Sequence, residues 1–214
     1  MLRNLCLSFL LSAALSAQAA MELEIIGPIS EATIQAGKKK SEVCQGCHGE
    51  DGISLNPKCP NLAGQFPAYL DKQIMDFQAG RRTDPIMTGM STIVAEREDA
   101  KDIAAYFATR KRMSSKRGGN GEMAARGEKL FKEGNADTGL YGCANCHGEN
   151  GMGKAVNNFV FPVIAGQSRD YIVKQLKKLH SGERRNDPAG MMGNIAKKMT
   201  DAEIEAVAEY LSGL

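Results

Sequence analysis

The chain has 214 residues, of which 43% are hydrophobic and 24% are charged, and its formal net charge is +2. This composition excludes a disordered chain and a bundle of membrane-spanning helices. The near-zero net charge excludes a strongly basic nucleic-acid binder, so we expect no nucleic-acid partner.

The chain begins with a segment typical of a secretory signal peptide. Arg3 is the only charged residue before an apolar run from Leu5 to Ala17, and small residues follow up to Ala19. The run is too short to span a bilayer. We therefore expect residues 1–19 to be removed by cleavage near Ala19, leaving a periplasmic mature chain without a transmembrane segment.

Six later segments space their apolar residues as helices do. The last of them follows Thr200, with Glu203 three residues on, which is the pattern of a capping box. No window alternates well enough to predict a strand, so we predict an all-α fold. In chain order the predicted helices are Ala32–Val43, Pro67–Ala79, Glu98–Thr109, Met123–Lys132, Arg169–His180 and Asp201–Leu211.

Two parts of the chain repeat one another. The letters CQGCHGE begin at Cys44 and recur as CANCHGE from Cys143. Matching positions further on lie 102 residues apart, namely Leu62 with Ile164, Tyr69 with Tyr171, Gln73 with Gln175 and Gly80 with Gly182. We predict a first domain at 20–110 and a second at 122–214, joined by a basic linker at 111–121.

Each repeat carries Cys-x-x-Cys-His, the attachment signature of c-type haem. Two thiols three positions apart reach the two vinyl groups of one porphyrin edge, and the adjoining histidine supplies an axial ligand. Units this small, with only 6% aromatic residues, also need a large apolar group to complete a core. We predict two covalently bound haem c groups, held by Cys44, Cys47 and His48 and by Cys143, Cys146 and His147.

Other interpretations of the cysteines are a thiol oxidoreductase or a zinc site. The first occurs in folds that contain strands, and none is predicted here. The second would need ligand pairs nearly a hundred residues apart, far beyond the usual spacing. Cys59 has no expected partner and is interpreted as a small buried residue.

The opposite axial ligand is sought among histidine and methionine. His180 is the only further histidine of the mature chain, and Gln78 stands at its matching position, so the first unit has no second histidine. Each unit does have two methionines after Asp-Pro, and a thioether raises the reduction potential. Counting seven residues back from the apolar residue before the last helix of each unit, Val94 or Met199, selects Met87 and Met192. Met90 and Met191 remain alternatives.

The outer nitrogen of a metal-bound imidazole usually donates to a carbonyl oxygen. Pro60 and Pro162 each precede the repeated Leu/Ile-Ala-Gly-Gln segment. We predict that their carbonyl groups orient His48 and His147. Five basic residues form either a docking surface for a redox partner or a solvated helix face, and they are Lys174, Lys177, Lys178, Arg184 and Arg185.

These motifs resemble the dihaem cytochrome c4 family from about Ile34 to Leu214. The resemblance implies two tandem class I cytochrome c domains, each a few helices around its haem, with ligand pairs His48–Met87 and His147–Met192. It also implies a periplasmic one-electron carrier between a quinol-oxidising complex and a terminal oxidase. The chain departs from the family at Cys59 and at an extra residue before the first closing helix.

Two alternative functions remain. One is the dihaem cytochrome subunit of a sulfide-oxidising flavocytochrome complex, which would have a flavoprotein subunit as a permanent partner. The other is a dihaem peroxidase or a thiosulfate-oxidising enzyme, which needs one iron with an open or displaceable ligand. Because both units offer methionine ligands and no surplus catalytic group is visible, we predict that the chain is not an enzyme and has no catalytic residues.

Overall fold

The computed structural model describes residues 28–112, 121–156 and 159–214. We call residues 28–112 the first half and residues 121–214 the second half. The predicted signal peptide at 1–19 and most of the predicted linker at 111–121 lie outside the described residues. Across the three described ranges, no helix combines the length and the apolar character that a bilayer crossing requires.

The first half consists of five helices. They are α1 Glu31–Lys40, α2 Glu42–His48, α3 Pro67–Gln78, α4 Met87–Ser91 and α5 Arg97–Ala108. The predicted helix at 32–43 is in fact divided at Ser41, whose backbone N–H closes α1 and which stands before α2 as its N-cap. The short helices α2 and α4 were not predicted, because a helix of one or two turns is too short to show a period.

The second half repeats this order. It contains α6 Glu122–Glu133, α7 Ala144–His147, α8 Arg169–Ser181, α9 Met191–Ala196 and α10 Asp201–Ser212, with a 3₁₀ turn at Pro188–Gly190 before α9. The capping box at the start of α10 is confirmed. The Thr200 side chain accepts from the Glu203 N–H, and the Glu203 carboxylate accepts from the Thr200 N–H.

The prediction that the chain has no strands was wrong for the second half. Gly134–Asn135 (β1) pairs with Leu140–Tyr141 (β2), and Lys154–Val156 (β3) pairs with Phe159–Phe161 (β4), both antiparallel. Strands of two or three residues are too short for alternation to be visible in the sequence. Both are small antiparallel pairs in loops, so the predicted all-α class is confirmed by the mainly helical structure.

The first and last helices of each half cross at a glycine. A Cβ atom on Gly37 of α1 would lie 2.0 Å from the carbonyl oxygen of Asp102 in α5. A Cβ atom on Gly127 of α6 would lie 2.0 Å from the carbonyl oxygen of Ala206 in α10. Only glycine allows the two backbones to approach this closely.

Each half has its own hydrophobic core. In the second half the core is formed by α6, α8 and α10, with Phe131, Ile204 and Val207 almost completely buried. In the first half the matching core is centred on α5, where Tyr106 and Phe107 are 1% exposed. The cysteine-histidine helices α2 and α7 lie at the edges of these cores, since Cys44 packs against the first and Cys143 against the second.

Candidate haem-binding sites

The first candidate site is built on α2. Cys44 and Cys47 are three residues apart on this helix and therefore share a face. The helix ends at His48, and Gly49 follows with a φ of 79°, where its missing Cβ avoids the Ile53 carbonyl oxygen. The chain thus turns immediately after His48, so that the histidine stands at the end of the helix.

The second site repeats this arrangement. Cys143 is the N-cap residue of α7, Cys146 lies within the helix, and His147 ends it before Gly148, whose φ is 81°. Within the part of the chain that the structure describes, none of these four cysteines forms a disulfide, and in each pair the first is half-buried and the second exposed. Burial raises the pKa of the Cys44 and Cys143 thiols to about 11.

The two histidines are buried and have a defined tautomer. The Nδ1 atom of His48 lies 2.8 Å from the carbonyl oxygen of Pro60, and that of His147 lies 2.8 Å from that of Pro162. Since a carbonyl oxygen can only accept, both Nδ1 atoms carry a proton, and both Nε2 atoms keep their lone pairs. Burial lowers the pKa of both imidazoles below the usual value, so both are neutral near pH 7.

This donor set fits a covalently attached haem. Among the described residues the Nε2 atom of neither histidine has a hydrogen-bond partner, so each is available to iron. The thiols that flank each histidine are unpaired and partly accessible. Over the described ranges, no group of three or more His, Cys, Asp and Glu residues could hold a metal ion by itself, which argues against the zinc interpretation.

The four candidate methionines lie on the short helices α4 and α9. Met87, Met90 and Met192 are half-buried, whereas Met191 is 36% exposed. The Asp84 carboxylate accepts from the backbone N–H of Met87 and so fixes the start of α4. Burial alone does not distinguish Met87 from Met90.

Two hydrogen bonds, one in each half, help to show which residues of α4 correspond to which residues of α9. The Gln78 amide donates to the carbonyl oxygen of Ser91 at 2.9 Å, and His180 Nδ1 lies 2.9 Å from that of Ala196. Gln78 and His180 occupy matching positions, and the Gln78 amide also donates to the Val94 carbonyl oxygen at 2.6 Å, so either Ser91 or Val94 corresponds to Ala196. His180 is exposed and engaged in this bond, as expected for a polar residue on a helix face.

When Ser91 is matched to Ala196, counting four residues back from each of these two residues reaches a methionine in both halves. These residues are Met87 and Met192, which are 105 positions apart, as Ser91 and Ala196 are. At the position that matches Met90 the second half has an isoleucine, and at the position that matches Met191 the first half has an isoleucine. This register pairs Met87 with Met192, whereas the register in which Val94 matches Ala196 pairs Met90 with Met192.

Two arginines, buried Arg82 and half-buried Arg184, connect the halves. Arg82 is 7% exposed and donates to the Gln73 amide oxygen of its own half at 2.7 Å. Across the contact it donates to the Tyr171 hydroxyl at 2.8 Å and to the Gln175 amide oxygen at 2.9 Å. Sequence analysis missed Arg82, although it precedes Arg184 by the same 102 positions that relate the other repeated residues.

Arg184 makes the mirrored contacts. It donates to the Gln175 amide oxygen at 3.0 Å and, across the contact, to the Tyr69 hydroxyl at 3.1 Å. Burial alone would lower the pKa of Arg184, but the neighbouring Tyr69 and Tyr171 hold it above the usual value. The matched tyrosines and glutamines of the sequence repeat thus form one hydrogen-bonded group with the two arginines.

The five basic residues considered as a docking surface are mostly engaged within the protein. Lys174 forms an ion pair with Asp84 across the contact between the halves, at 2.9 Å. Lys178 pairs with Glu183 at 2.5 Å, and Lys177 lies 3.6 Å from Glu205. Together with half-buried Arg184, these pairings argue against a free basic patch.

Cys59 is half-buried rather than fully buried. Its pKa is raised, first by burial and then by the nearby Cys47 thiol. Cys59 forms no disulfide within the described ranges, so the expectation of a cysteine without a disulfide partner is confirmed there.

Comparison with known proteins finds cytochromes c both by sequence and by structure. The cytochrome c family matches residues 124–214. The cytochrome c4 of Thiocapsa roseopersicina is 41% identical over 84% of this chain and 92% of its own length. A thiosulfate dehydrogenase electron acceptor of Stutzerimonas stutzeri is 35% identical over 80% of this chain and 78% of its own. The crystal structure of reduced recombinant cytochrome c4 from Pseudomonas stutzeri superimposes with a TM-score of 0.78, at 38% identity, over 84% of this chain and 97% of that one.

Proposed function

The chain belongs to the cytochrome c4 family of dihaem electron carriers, and we propose that it carries single electrons in the periplasm from a quinol-oxidising complex to a terminal oxidase. Its cofactors are two covalently bound haem c groups, and it is a carrier rather than an enzyme. One observation supports the proposal most strongly, namely that both Cys-x-x-Cys-His motifs end in a buried, neutral histidine with its Nε2 free.

We assign four axial ligands, His48 with Met87 and His147 with Met192. The register in which Ser91 matches Ala196 supports this choice, and Met90 and Met191 remain the alternatives. Cys44, Cys47, Cys143 and Cys146 are the proposed attachment residues.

The haem groups supply an iron that exchanges one electron between its ferric and ferrous states. The protein residues determine how readily it does so. The Pro60 and Pro162 carbonyl groups hold the imidazoles in one orientation and make them more basic. The Met87 and Met192 thioethers would favour the ferrous state of the iron and raise its reduction potential. Since the protein would provide both axial ligands, no position is left for a substrate, which argues against a peroxidase.

The proposed domain boundaries are 20–110 and 122–214, with 1–19 as signal peptide and 111–121 as linker. Separate hydrophobic cores in the two halves support two domains. Arg82 and Arg184 bond across the contact between the halves, and these bonds would hold the two haem-binding halves together during electron transfer.

A second electron donor is supported by a specific finding. Two relatives, each 35% identical, are named as electron acceptors of thiosulfate dehydrogenase. We therefore propose thiosulfate dehydrogenase as an alternative donor to the quinol-oxidising complex. If the chain were instead the cytochrome subunit of a sulfide-oxidising flavocytochrome complex, a flavoprotein subunit would co-purify with it.

The test uses the full chain produced with its leader in a bacterium that attaches haem. Mass spectrometry of the periplasmic protein should show two covalent haems, and replacing Cys44 and Cys47 with alanine should leave one. A colourless protein, or pigment that extracts into acidified organic solvent, would overturn the proposal. Reduction rates with quinol plus its oxidising complex, and with thiosulfate plus its dehydrogenase, then discriminate the two donors.

A further inference from the structure

Two glutamines cross from one half into the other. The Gln167 amide oxygen accepts from the Asn61 N–H at 2.8 Å, and its NH₂ group donates to the Asn61 carbonyl oxygen at 2.9 Å. In the mirrored contact, Gln65 accepts from the Val163 N–H at 2.9 Å and donates to the Val163 carbonyl oxygen at 2.8 Å. Each glutamine therefore pairs with the backbone of one residue in the opposite half.

The residue reached in each case adjoins a histidine-binding carbonyl group. The Asn61 N–H and the Pro60 C=O belong to one peptide unit, and that carbonyl oxygen accepts from His48 Nδ1 at 2.8 Å. Likewise the Val163 N–H and the Pro162 C=O form one peptide unit, whose oxygen accepts from His147 at 2.8 Å. A continuous chain of hydrogen bonds thus runs from each histidine, through one peptide, to a glutamine of the other half.

Such a chain transmits polarisation. The peptide C=O and N–H are coupled by resonance, so an acceptor on the N–H makes the carbonyl oxygen more negative, and successive hydrogen bonds strengthen one another. A stronger acceptor on Nδ1–H makes the imidazole a more basic ligand. A more basic ligand favours ferric iron and lowers the reduction potential.

We propose that each glutamine tunes the haem of the opposite half, Gln167 acting through Pro60–Asn61 on His48 and Gln65 acting through Pro162–Val163 on His147. The glutamines are positioning residues, and the inference rests on the proposed function. Both side chains are held in place, because their amide oxygens also accept from the next residue's backbone, Phe66 N–H at 3.0 Å and Ser168 N–H at 2.9 Å. Gln65 is 8% exposed, so water does not replace its bonds to Val163, and Gln167 is half-buried.

The test is a Gln167→Leu variant of the complete dihaem protein. Haem content is measured first, because loss of the haems would contradict the proposed function and not this inference. NMR spectra across a redox titration then follow each haem separately, through the backbone amides of Gly49 and Gly148. We expect the potential of the first haem to rise, by up to a tenfold change in its ferrous-to-ferric ratio, or about 59 mV, while the second haem is unchanged.

The mirrored variant and a control isolate the effect. Gln65→Leu should raise the potential of the second haem only. Ser168→Ala removes a hydrogen bond to the Pro57 carbonyl oxygen across the same contact but touches neither peptide, so it should shift neither potential. In the ferrous Gln167→Leu protein the Asn61 amide proton should exchange with solvent faster than in the wild type.

Three outcomes would overturn the inference. The first is a shift of the haem in the variant glutamine's own half, and the second is an equal shift of both haems, which would indicate general loosening. The third is faster exchange of the Asn61 amide with an unchanged first potential. If neither variant folds, the test uses the ferrous wild-type protein. NMR should then show a coupling across the hydrogen bond between the Asn61 nitrogen and the Gln167 side-chain carbonyl carbon. Absence of this coupling would refute the proposed chain of hydrogen bonds.

Discussion

The guanidinium group of Arg82 lies 2.8 Å from the hydroxyl oxygen of Tyr171, so an arginine of the first half bonds to a tyrosine of the second. Arg184 makes the equivalent bond to Tyr69 in the reverse direction. The sequence repeat therefore does more than build two similar halves. Its matched residues join those halves, and the same matching brings a glutamine of each half to the histidine-binding loop of the other.

We predict that Arg82→Met weakens the contact between the halves. The substitution removes the charged donor from the Gln73 and Gln175 amide oxygens and from the Tyr171 hydroxyl. Hydrogen bonds from a charged group contribute about 1.5–3 kcal/mol. Urea unfolding should show a free energy of unfolding lower by about 2 kcal/mol. Arg185→Met is the matched control, since Arg185 is exposed and bonds only within its own loop. Equal stability of the two variants would contradict the prediction.

Replacement of the proposed methionine ligands should be selective. Met87→Ala and Met192→Ala should each lower the potential of one haem and allow its ferrous form to bind carbon monoxide, because the thioether opposite the imidazole is lost. Visible spectra with and without carbon monoxide provide the measurement. Met90→Ala and Met191→Ala are the controls and should retain both potentials. Carbon monoxide binding by the Met90→Ala protein would instead identify Met90 as the ligand.

Local patterns in the sequence predicted the helices that carry the fold. The capping box at Thr200 and Glu203 lies within four residues, and both its bonds are present. Contacts between distant residues could not be predicted in this way. The Arg82–Tyr171 bond joins positions 89 residues apart, and the Lys174–Asp84 ion pair joins positions 90 residues apart. Hence the lysines that a helix pattern assigns to solvent or to a redox partner lie partly at the contact between the halves.

Gly127→Ala should destabilise the second half. The added methyl group would meet the Ala206 carbonyl oxygen at 2.0 Å, so α6 and α10 would have to separate, at a cost of about 1–3 kcal/mol. Denaturant unfolding followed by far-ultraviolet circular dichroism measures this loss. Gly89→Ala is a matched control in a helix of the first half, where a Cβ atom meets nothing within 4 Å. A Gly127→Ala protein as stable as the control would show that the helix crossing tolerates a side chain.

Asp76 should make stability depend on pH in the acid range. The residue is 2% exposed. Burial would raise its pKa, but hydrogen bonds from Lys72, Asn186 and Arg81 outweigh burial and hold the pKa below its usual value. Because the folded pKa lies below the unfolded one, the carboxylate stabilises the fold fully above about pH 4. This stabilisation disappears as the pH falls through the folded pKa.

The Asp76→Asn variant removes this charge while keeping the size of the side chain. Since hydrogen bonds to a charged group contribute about 1.5–3 kcal/mol, we expect it to be less stable than the wild type by roughly 2 kcal/mol at pH 7. Thermal unfolding at a series of pH values should show the difference shrinking below about pH 4. Asp170→Asn, in an exposed side chain 3.9 Å from Arg169, should change little at any pH. A difference for Asp76→Asn that persists unchanged into strong acid would mean that its ionisation does not support the contact with Asn186.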